Sequence, residues 1–343
     1  WDTGAGGTFT SGGTEACFTA LLAARAAIAP DAWERGVGDD PPVVVCGEHA
    51  HYSVTRAIAQ LGLGTARAIV VPSRDWRMDP LALGETLDRL ALAERRVMAV
   101  VATAGSTATG SFDDLETIGA LCEARGLWLH VDGAHGASAL LSDTHRHRVR
   151  GIAHARSVAW DAHKMMLMPL ACGMLLVRDE GDLERAFRQH APYIFHESDD
   201  HRSWDQGPRS FLCSRRADAL KLWVALQRYG SSGFAALYDH LCATAYALYE
   251  ALEARSDFET VHAPEANILC FRWVGDLPRD AAALDEINRE LRERYNRSGK
   301  GWITTTVLGG RRMLRVTIMN PRTTPSHVLR LVDELAEEAA RIR

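Results

Sequence analysis

The chain has 343 residues, 47% of them hydrophobic, with a formal net charge of -5. That length buries a sizeable core and has room for two domains, while the slight acidity leaves no footprint for nucleic acid or an anionic membrane. No apolar run approaches the ~20 residues of a membrane span, the start lacks a signal-peptide layout, and the seven cysteines are scattered without a Cys-x-x-Cys pair, so the expectation is a cytoplasmic protein with free thiols.

In chain order, the first feature is Gly6-Gly-Thr-Phe-Thr-Ser-Gly-Gly-Thr-Glu-Ala16, a glycine-rich turn that opens a helical pattern from Cys17 to Arg25. Such a turn at a helix N-terminus offers free N–H groups to a phosphate. Short apolar strands follow at 43–46, 68–71, 97–101, 127–131, 157–160 and 174–177, with helical patterns at 80–95 and 114–125 between them. Apolar strands separated by helices imply a mostly parallel sheet covered on both faces, with ligands gathered at the strand ends. Two of those ends carry chemistry. Asp132 closes Leu129-His-Val-Asp-Gly-Ala-His-Gly136, and Lys164 follows Ser157-Val-Ala-Trp-Asp-Ala-His163. A lysine amine can form an imine with the aldehyde of pyridoxal phosphate, and a carboxylate can keep the pyridine nitrogen protonated. Chemistry on an amino acid is the reading these residues favour.

Residues 178–216 are rich in charge, His and Pro, which predicts a segment too polar to pack into its own domain. A long helical pattern then runs over 217–255 with a break at Gly230-Ser-Ser-Gly233. Strands at 268–273 and 313–319, with helices at 280–297 and 325–343, predict a smaller C-terminal α+β domain. The expected division is a large domain over 1–255 and a small one over 256–343. The pair His49 and His51 and the run His145-Arg-His-Arg148 read as ring-stacking and solvated-loop histidines rather than ligands, and no metal is expected.

Six strings in order carry a family resemblance: Phe9-Thr-Ser-Gly-Gly-Thr-Glu-Ala16; Ala50-His-Tyr-Ser-Val-Thr-Arg-Ala57 with Leu61-Gly-Leu-Gly64; Val101-Ala-Thr-Ala-Gly-Ser-Thr-Ala-Thr-Gly-Ser-Phe-Asp113; His130-Val-Asp132; Asp161-Ala-His-Lys164; and Leu314-Arg-Val-Thr-Ile-Met-Asn-Pro321. Together they resemble the pyridoxal-phosphate-dependent group II amino-acid decarboxylases, the family of glutamate, cysteine-sulfinate, aromatic-amino-acid, histidine and 2,4-diaminobutyrate decarboxylases. The resemblance implies an α/β enzyme of fold type I, pyridoxal 5'-phosphate as cofactor, and a homodimer with a shared active site.

Carried over by residue, the resemblance makes Lys164 the imine lysine and Asp132 the partner of the pyridinium nitrogen. His51 would stack on the cofactor ring, with Ala134 on the opposite face. Gly13 and Thr14 fall at phosphate-binding positions, with Asp161 and His163 close by. Thr107 would put a hydroxyl near the ring oxygen, and Arg315 would hold the substrate carboxylate.

Two departures stand out. The chain begins almost at the phosphate loop, where family members carry an earlier segment, and its opening Trp1 in place of Met predicts truncation. The loop that the family inserts into its partner's site, here the mobile loop expected near 196–210, has no tyrosine to return a proton to the substrate. His201, or His196, is expected to act instead, since imidazole titrates near neutrality. Lys164 and Asp132 are shared with aminotransferases and other fold-type I lyases, and the missing tyrosine also fits a catalytically silent relative with a binding role. His51 and Asp161-Ala-His-Lys164 favour decarboxylation. The stretch from Asp205 to Trp223 looks more like the glutamate and cysteine-sulfinate branch than the aromatic one, which favours a small polar or acidic amino acid.

Overall fold

The structure, a computed structural model, describes residues 1–189, 205–275 and 280–342. It divides into a larger unit, Trp1–Thr107 with Phe112–Phe234, and a smaller one, Ala108–Ser111 with Ala235–Arg343.

In the larger unit the order is β1 (Gly6–Thr10), α1 (Gly13–Ile28), α2 (Ala32–Arg35), β2 (Val43–Gly47), α3 (Ser53–Gln60), β3 (Ala68–Val71), the short hairpin β4 (Ser73–Arg74) and β5 (Arg77–Met78), α4 (Pro80–Leu92), β6 (Val97–Thr103), α5 (Leu115–Glu123), β7 (Leu129–Asp132), β8 (Ser157–Asp161), β9 (Gly173–Val177) and α6 (Gly181–Ala186). Seven strands form one sheet in the order β1-β9-β8-β7-β6-β2-β3. The pairs β2/β3, β2/β6, β6/β7 and β7/β8 are parallel, whereas β9 runs antiparallel to both β8 and β1. Every strand expected from the apolar runs is present. Their unbroken hydrophobicity follows from burial: all five positions of β2, and all of β6 after Val97, are buried, as a sheet covered on both faces requires.

Helix α1 supports the centre of this sheet. Its Ala16 and Ala20 join Ala159, Leu175, Val177 and Leu183 in one cluster, and Cys17 and Leu21 join Val44, Cys46 and Ile58 in another. Small residues on the first face let the helix backbone lie close to β8. The helices that follow are capped by acids read easily from sequence: Asp79 accepts from Leu81 N at 3.0 Å, and Asp114 from Thr117 N at 3.1 Å.

The glycine-rich opening differs from the expectation of a plain turn. Gly6–Thr10 is an edge strand, registered from Gly6↔Val177 to Thr10↔Gly173, and only the residues after it form the turn into α1. Glycine permits the close fit there, since a Cβ on Gly7 would lie 2.7 Å from Leu175 O.

The long helix α7 (Ala219–Glu253) leaves helical geometry at Gly230, with φ 64° and ψ 178°, where the sequence predicts a break. The units divide at Phe234/Ala235, before the expected boundary at 255. The sequence reading assigned both halves of the broken helical pattern to the large domain, but the second half belongs to the smaller unit, where His240 Nε2 lies 3.0 Å from Thr323 O and Thr260 Oγ1 donates to Glu253. That unit continues with β10 (Phe258–Thr260), β11 (Ile268–Trp273), α8 (Ala281–Ser298), β12 (Thr304–Leu308), β13 (Arg311–Thr317) and α9 (Pro325–Ala339), its antiparallel sheet ordered β10-β11-β13-β12. β12 escaped the sequence reading although Gly309-Gly310 signals it. Both glycines have positive φ, 55° and 74°, as a two-residue hairpin turn demands, and Leu308 pairs with Arg311 across it.

Candidate active site

Parallel pairing decides where the site lies. β2, β6, β7 and β8 run in one direction, and β1, antiparallel to β9, shares it. The segments leaving these five strands therefore emerge at one edge of the sheet, where they line a cleft of about 390 Å³. Ser11, Gly12, Gly13 and Thr14 follow β1; His51 and Ser53 follow β2. Thr103, Gly105 and Thr107 come from the end of β6, Asp132, Ala134 and His135 from β7, and Asp161, His163 and Lys164 from β8. Nine of the residues expected from sequence thus share one cavity: Gly13, Thr14, His51, Thr107, Asp132, Ala134, Asp161, His163 and Lys164.

Asp161 organises the β8 end. Lys164 N bonds to Asp161 O at 3.0 Å, a tight turn that returns the lysine side chain so that Nζ lies 3.1 Å from Asp161 Oδ2. The same oxygen accepts Gly13 N at 2.9 Å and faces His163 Nε2 at 3.4 Å. Cys172 N donates to His163 Nδ1 at 3.0 Å, so the neutral ring carries its proton on Nε2, towards Asp161. Burial on its own raises the Asp161 carboxyl, but the hydrogen bond from His163, the charge of Lys164 and the Gly13 N–H together hold it below the usual carboxylate range. Asp161 Oδ1, buried, has no hydrogen-bond partner among the described residues.

Asp132 is 8% exposed at the last position of β7, where its Oδ1 accepts Ala134 N at 3.2 Å. Asp161 N bonds in turn to Ala134 O at 3.1 Å, which ties the β7 and β8 loops together. A Cβ on Gly13 would fall 2.9 Å from Ala134 Cβ, so glycine at one position and alanine at the other hold the cleft floor open. On the β2 side, His51 Nδ1 lies 2.9 Å from Ser53 Oγ, and its ring packs against Tyr52 with centroids 4.1 Å apart.

Sequence reasoning missed several supports. Asp113, buried, accepts Thr103 N at 2.7 Å and Met78 N at 2.8 Å, fixing the end of β6. Ser53 stood inside a quoted string without a role, and His135 and Ser11 line the cleft beside residues that were named. Three expected residues remain. Arg315 is on β13 of the smaller unit, opposite Cys270, where burial pulls its guanidinium below the usual range and leaves Nε without a hydrogen-bond partner among the described residues. His196 and His201 fall outside the described residues.

The part of the polar segment that is described packs on its own unit, contrary to expectation. Gly207, Arg209 and Ser210 are buried, Arg209 is paired with Glu180 and Glu184, and Arg215 donates to Phe9 O at 2.8 Å and Thr8 Oγ1 at 2.9 Å. Arginine satisfies its fork with acids and strand carbonyls, so composition alone did not exclude packing. Among the described residues, no helix is long and apolar enough to cross a membrane and no group of three His, Cys, Asp or Glu could hold a metal ion.

A primary amine, a buried acid one strand away, a helix N-terminus opening on both and small residues between them form a receptacle that fits pyridoxal phosphate at its aldehyde, its ring nitrogen and its phosphate. With the mixed, mostly parallel sheet, this defines a pyridoxal-phosphate enzyme of fold type I. The pyridoxal-dependent decarboxylase conserved domain matches residues 1–274, and the chain belongs to that family. It is 36% identical over 340 residues to L-2,4-diaminobutyrate decarboxylase of Rhizobium meliloti (strain 1021), covering 98% of this chain and 66% of that protein. It is also 36% identical over 348 residues to cysteine sulfinic acid decarboxylase of Rattus norvegicus, covering 98% of this chain and 70% of the relative. The fold matches that of Oryza sativa TDC solved with PLP and tryptamine, with a TM-score of 0.92 at 26% identity over 98% of this chain and 71% of that one. The chemistry of the family is pyridoxal-phosphate-dependent decarboxylation of an amino acid, and the chain is an enzyme of that class.

Proposed function

We propose that the chain acts in the cytoplasm as a two-fold homodimer with a shared active site, and that it converts a short polar or acidic L-amino acid into its amine and carbon dioxide. The observation that carries this reading is the convergence of Lys164, Asp132 and His51 on one cleft at the sheet edge. When bound, pyridoxal phosphate supplies an electron sink for the pair left on Cα as carbon dioxide departs.

The chain's own residues do the rest. Lys164 would anchor the cofactor until the substrate amine takes its place there, which would leave the lysine amine free to move a proton at the substrate. Asp132 keeps a proton on the ring nitrogen. Gly13 and Thr14, at the start of α1, hold the phosphate beside Asp161 and His163. Ala134 leaves room for the ring on one face, His51 covers the other, and Thr107 offers its hydroxyl near the ring oxygen. His201, or His196, stands in for the missing loop tyrosine as proton donor to Cα.

The substrate class is supported by the two relatives named for diaminobutyrate and cysteine sulfinic acid, both short side chains with a polar end. The dimer is supported by an apolar face on α7, where Leu220, Trp223 and Val224 are each more than half exposed. Six of the seven cysteines are buried and all are free, as suits a reducing compartment. Carbon dioxide release across the twenty amino acids, cysteine sulfinate and 2,4-diaminobutyrate tests the reading. Release from a short polar member is expected; release only from aromatic amino acids would overturn the substrate class, and transamination without carbon dioxide would overturn the reaction.

Arg315, whose buried Nε has no hydrogen-bond partner among the described residues, is proposed for the substrate carboxylate. Arg315→Met should then raise KM by about tenfold or more, since a charge-assisted pair is worth about 1.5–3 kcal/mol. A variant with unchanged KM would leave Arg315 a structural residue of β13.

A further inference from the structure

We propose that Ser53 is a positioning residue that fixes His51 as the neutral ring with its proton on Nε2, so that the side chain facing the cofactor site carries no charge. The bearing on the cofactor rests on the reading above; the state of the ring does not.

The argument begins with the start of α3. Ser53 is the first residue of that helix, so its N–H has no acceptor within the helix. His51 supplies one from two residues upstream: Ser53 N donates to His51 Nδ1 at 3.3 Å. Ser53 Oγ, on a residue only 1% exposed, lies 2.9 Å from the same nitrogen. A backbone N–H can only donate, so Nδ1 presents its lone pair, and a neutral imidazole then carries its proton on Nε2. The hydroxyl joins as a second donor. A proton placed on Nδ1 would meet the Ser53 N–H head-on, and on a ring that kept its Nε2 proton it would also add positive charge at the positive end of the helix.

Charges around the ring are mixed. Burial is the largest influence on His51 and lowers its titration; Asp132 and Asp161 draw a proton towards it, while Lys164 and Arg56 oppose one. The Tyr52 ring covers one side and is itself capped by the Arg56 guanidinium, 4.7 Å from its centroid. Cys17, hydrogen-bonded to Ser53, adds no anion, because burial drives its thiol far above the usual range. Burial already favours the neutral ring, and the two donors from Ser53 add to it by holding the lone pair on Nδ1.

The consequence reaches the chemistry. A cationic imidazole against a protonated pyridine ring would repel it, whereas the neutral ring can stack on it. Loss of the Nε2 proton from a neutral imidazole would leave an imidazolate, so His51 donates a hydrogen bond rather than the proton that returns to Cα. In the reading above, that proton is left to Lys164 or a loop histidine.

The test uses the full chain without cofactor, labelled with ¹⁵N-histidine, the His51 signals being assigned by their loss in His51→Gln. Long-range ¹H–¹⁵N spectra of the parent should show the Nε2–H tautomer at neutral pH. Ser53→Ala should raise the pH at which His51 titrates by about half a unit or more, as loss of one hydrogen bond to the neutral form requires. Pyridoxal phosphate should then bind that variant more weakly than the parent between the parent's titration midpoint and the shifted one. Ser53→Thr, which keeps the hydroxyl, should restore the parent titration. An Nδ1–H ring or an imidazolium in the parent at neutral pH, or a His51 titration unmoved by Ser53→Ala, would overturn the proposal. The parent spectrum decides the tautomer even where a variant fails to fold. An Nε2–H signal in a chain that binds no pyridoxal phosphate supports the Ser53 assignment and counts against the cofactor reading alone.

Discussion

Lys164→Ala is expected to remove the visible absorbance of the purified enzyme and to lower turnover by about a thousandfold or more, because an anchored amine is lost together with a group that moves protons at the substrate. The fold should survive. Lys164 is the exposed member of its pair, 36% exposed against 1% for Asp161. Removing it leaves Asp161 with its bonds from Gly13 and His163, so the carboxylate is not stranded. A far-UV spectrum and unfolding midpoint close to the parent's would confirm that the loss is chemical. Retention of the absorbance in Lys164→Ala would put the cofactor on another amine.

The second large effect concerns Asp132→Asn. The amide has the same shape and its oxygen can still accept the Ala134 N–H that Asp132 Oδ1 receives at 3.2 Å, so the β7 end should keep its form. What changes is electrostatic: an amide cannot hold a proton on a ring nitrogen as a carboxylate does. Turnover should fall by about 10² to 10³-fold while the cofactor stays attached to Lys164. Activity within a few-fold of the parent would make Asp132 a structural acid, and loss of attachment would make it a folding residue.

These expectations stand on residues that were legible in the sequence for specific reasons. The central strands could be read because they are buried on both faces and so are apolar throughout, and Asp132 and Lys164 could be read because polar residues at the ends of such strands are conspicuous. β1 was not legible in the same way: as an edge strand rich in glycine, it looks like a loop until its register with β9 is known. Supports such as Asp113 and Ser53 act through backbone N–H groups, which leave no mark in composition. Arg209 and Arg215 misled for the opposite reason, since their charges suggested solvent and the fold supplies partners from α6, from the turn before it and from β1.

The claim that the edge of this sheet is a pyridoxal-phosphate site anchored on Lys164 is tested most directly by borohydride reduction of the loaded enzyme followed by peptide mapping. The account predicts a single pyridoxyl adduct, on Lys164. An adduct on Lys221 or Lys300, or none on an enzyme that still releases carbon dioxide, would contradict it.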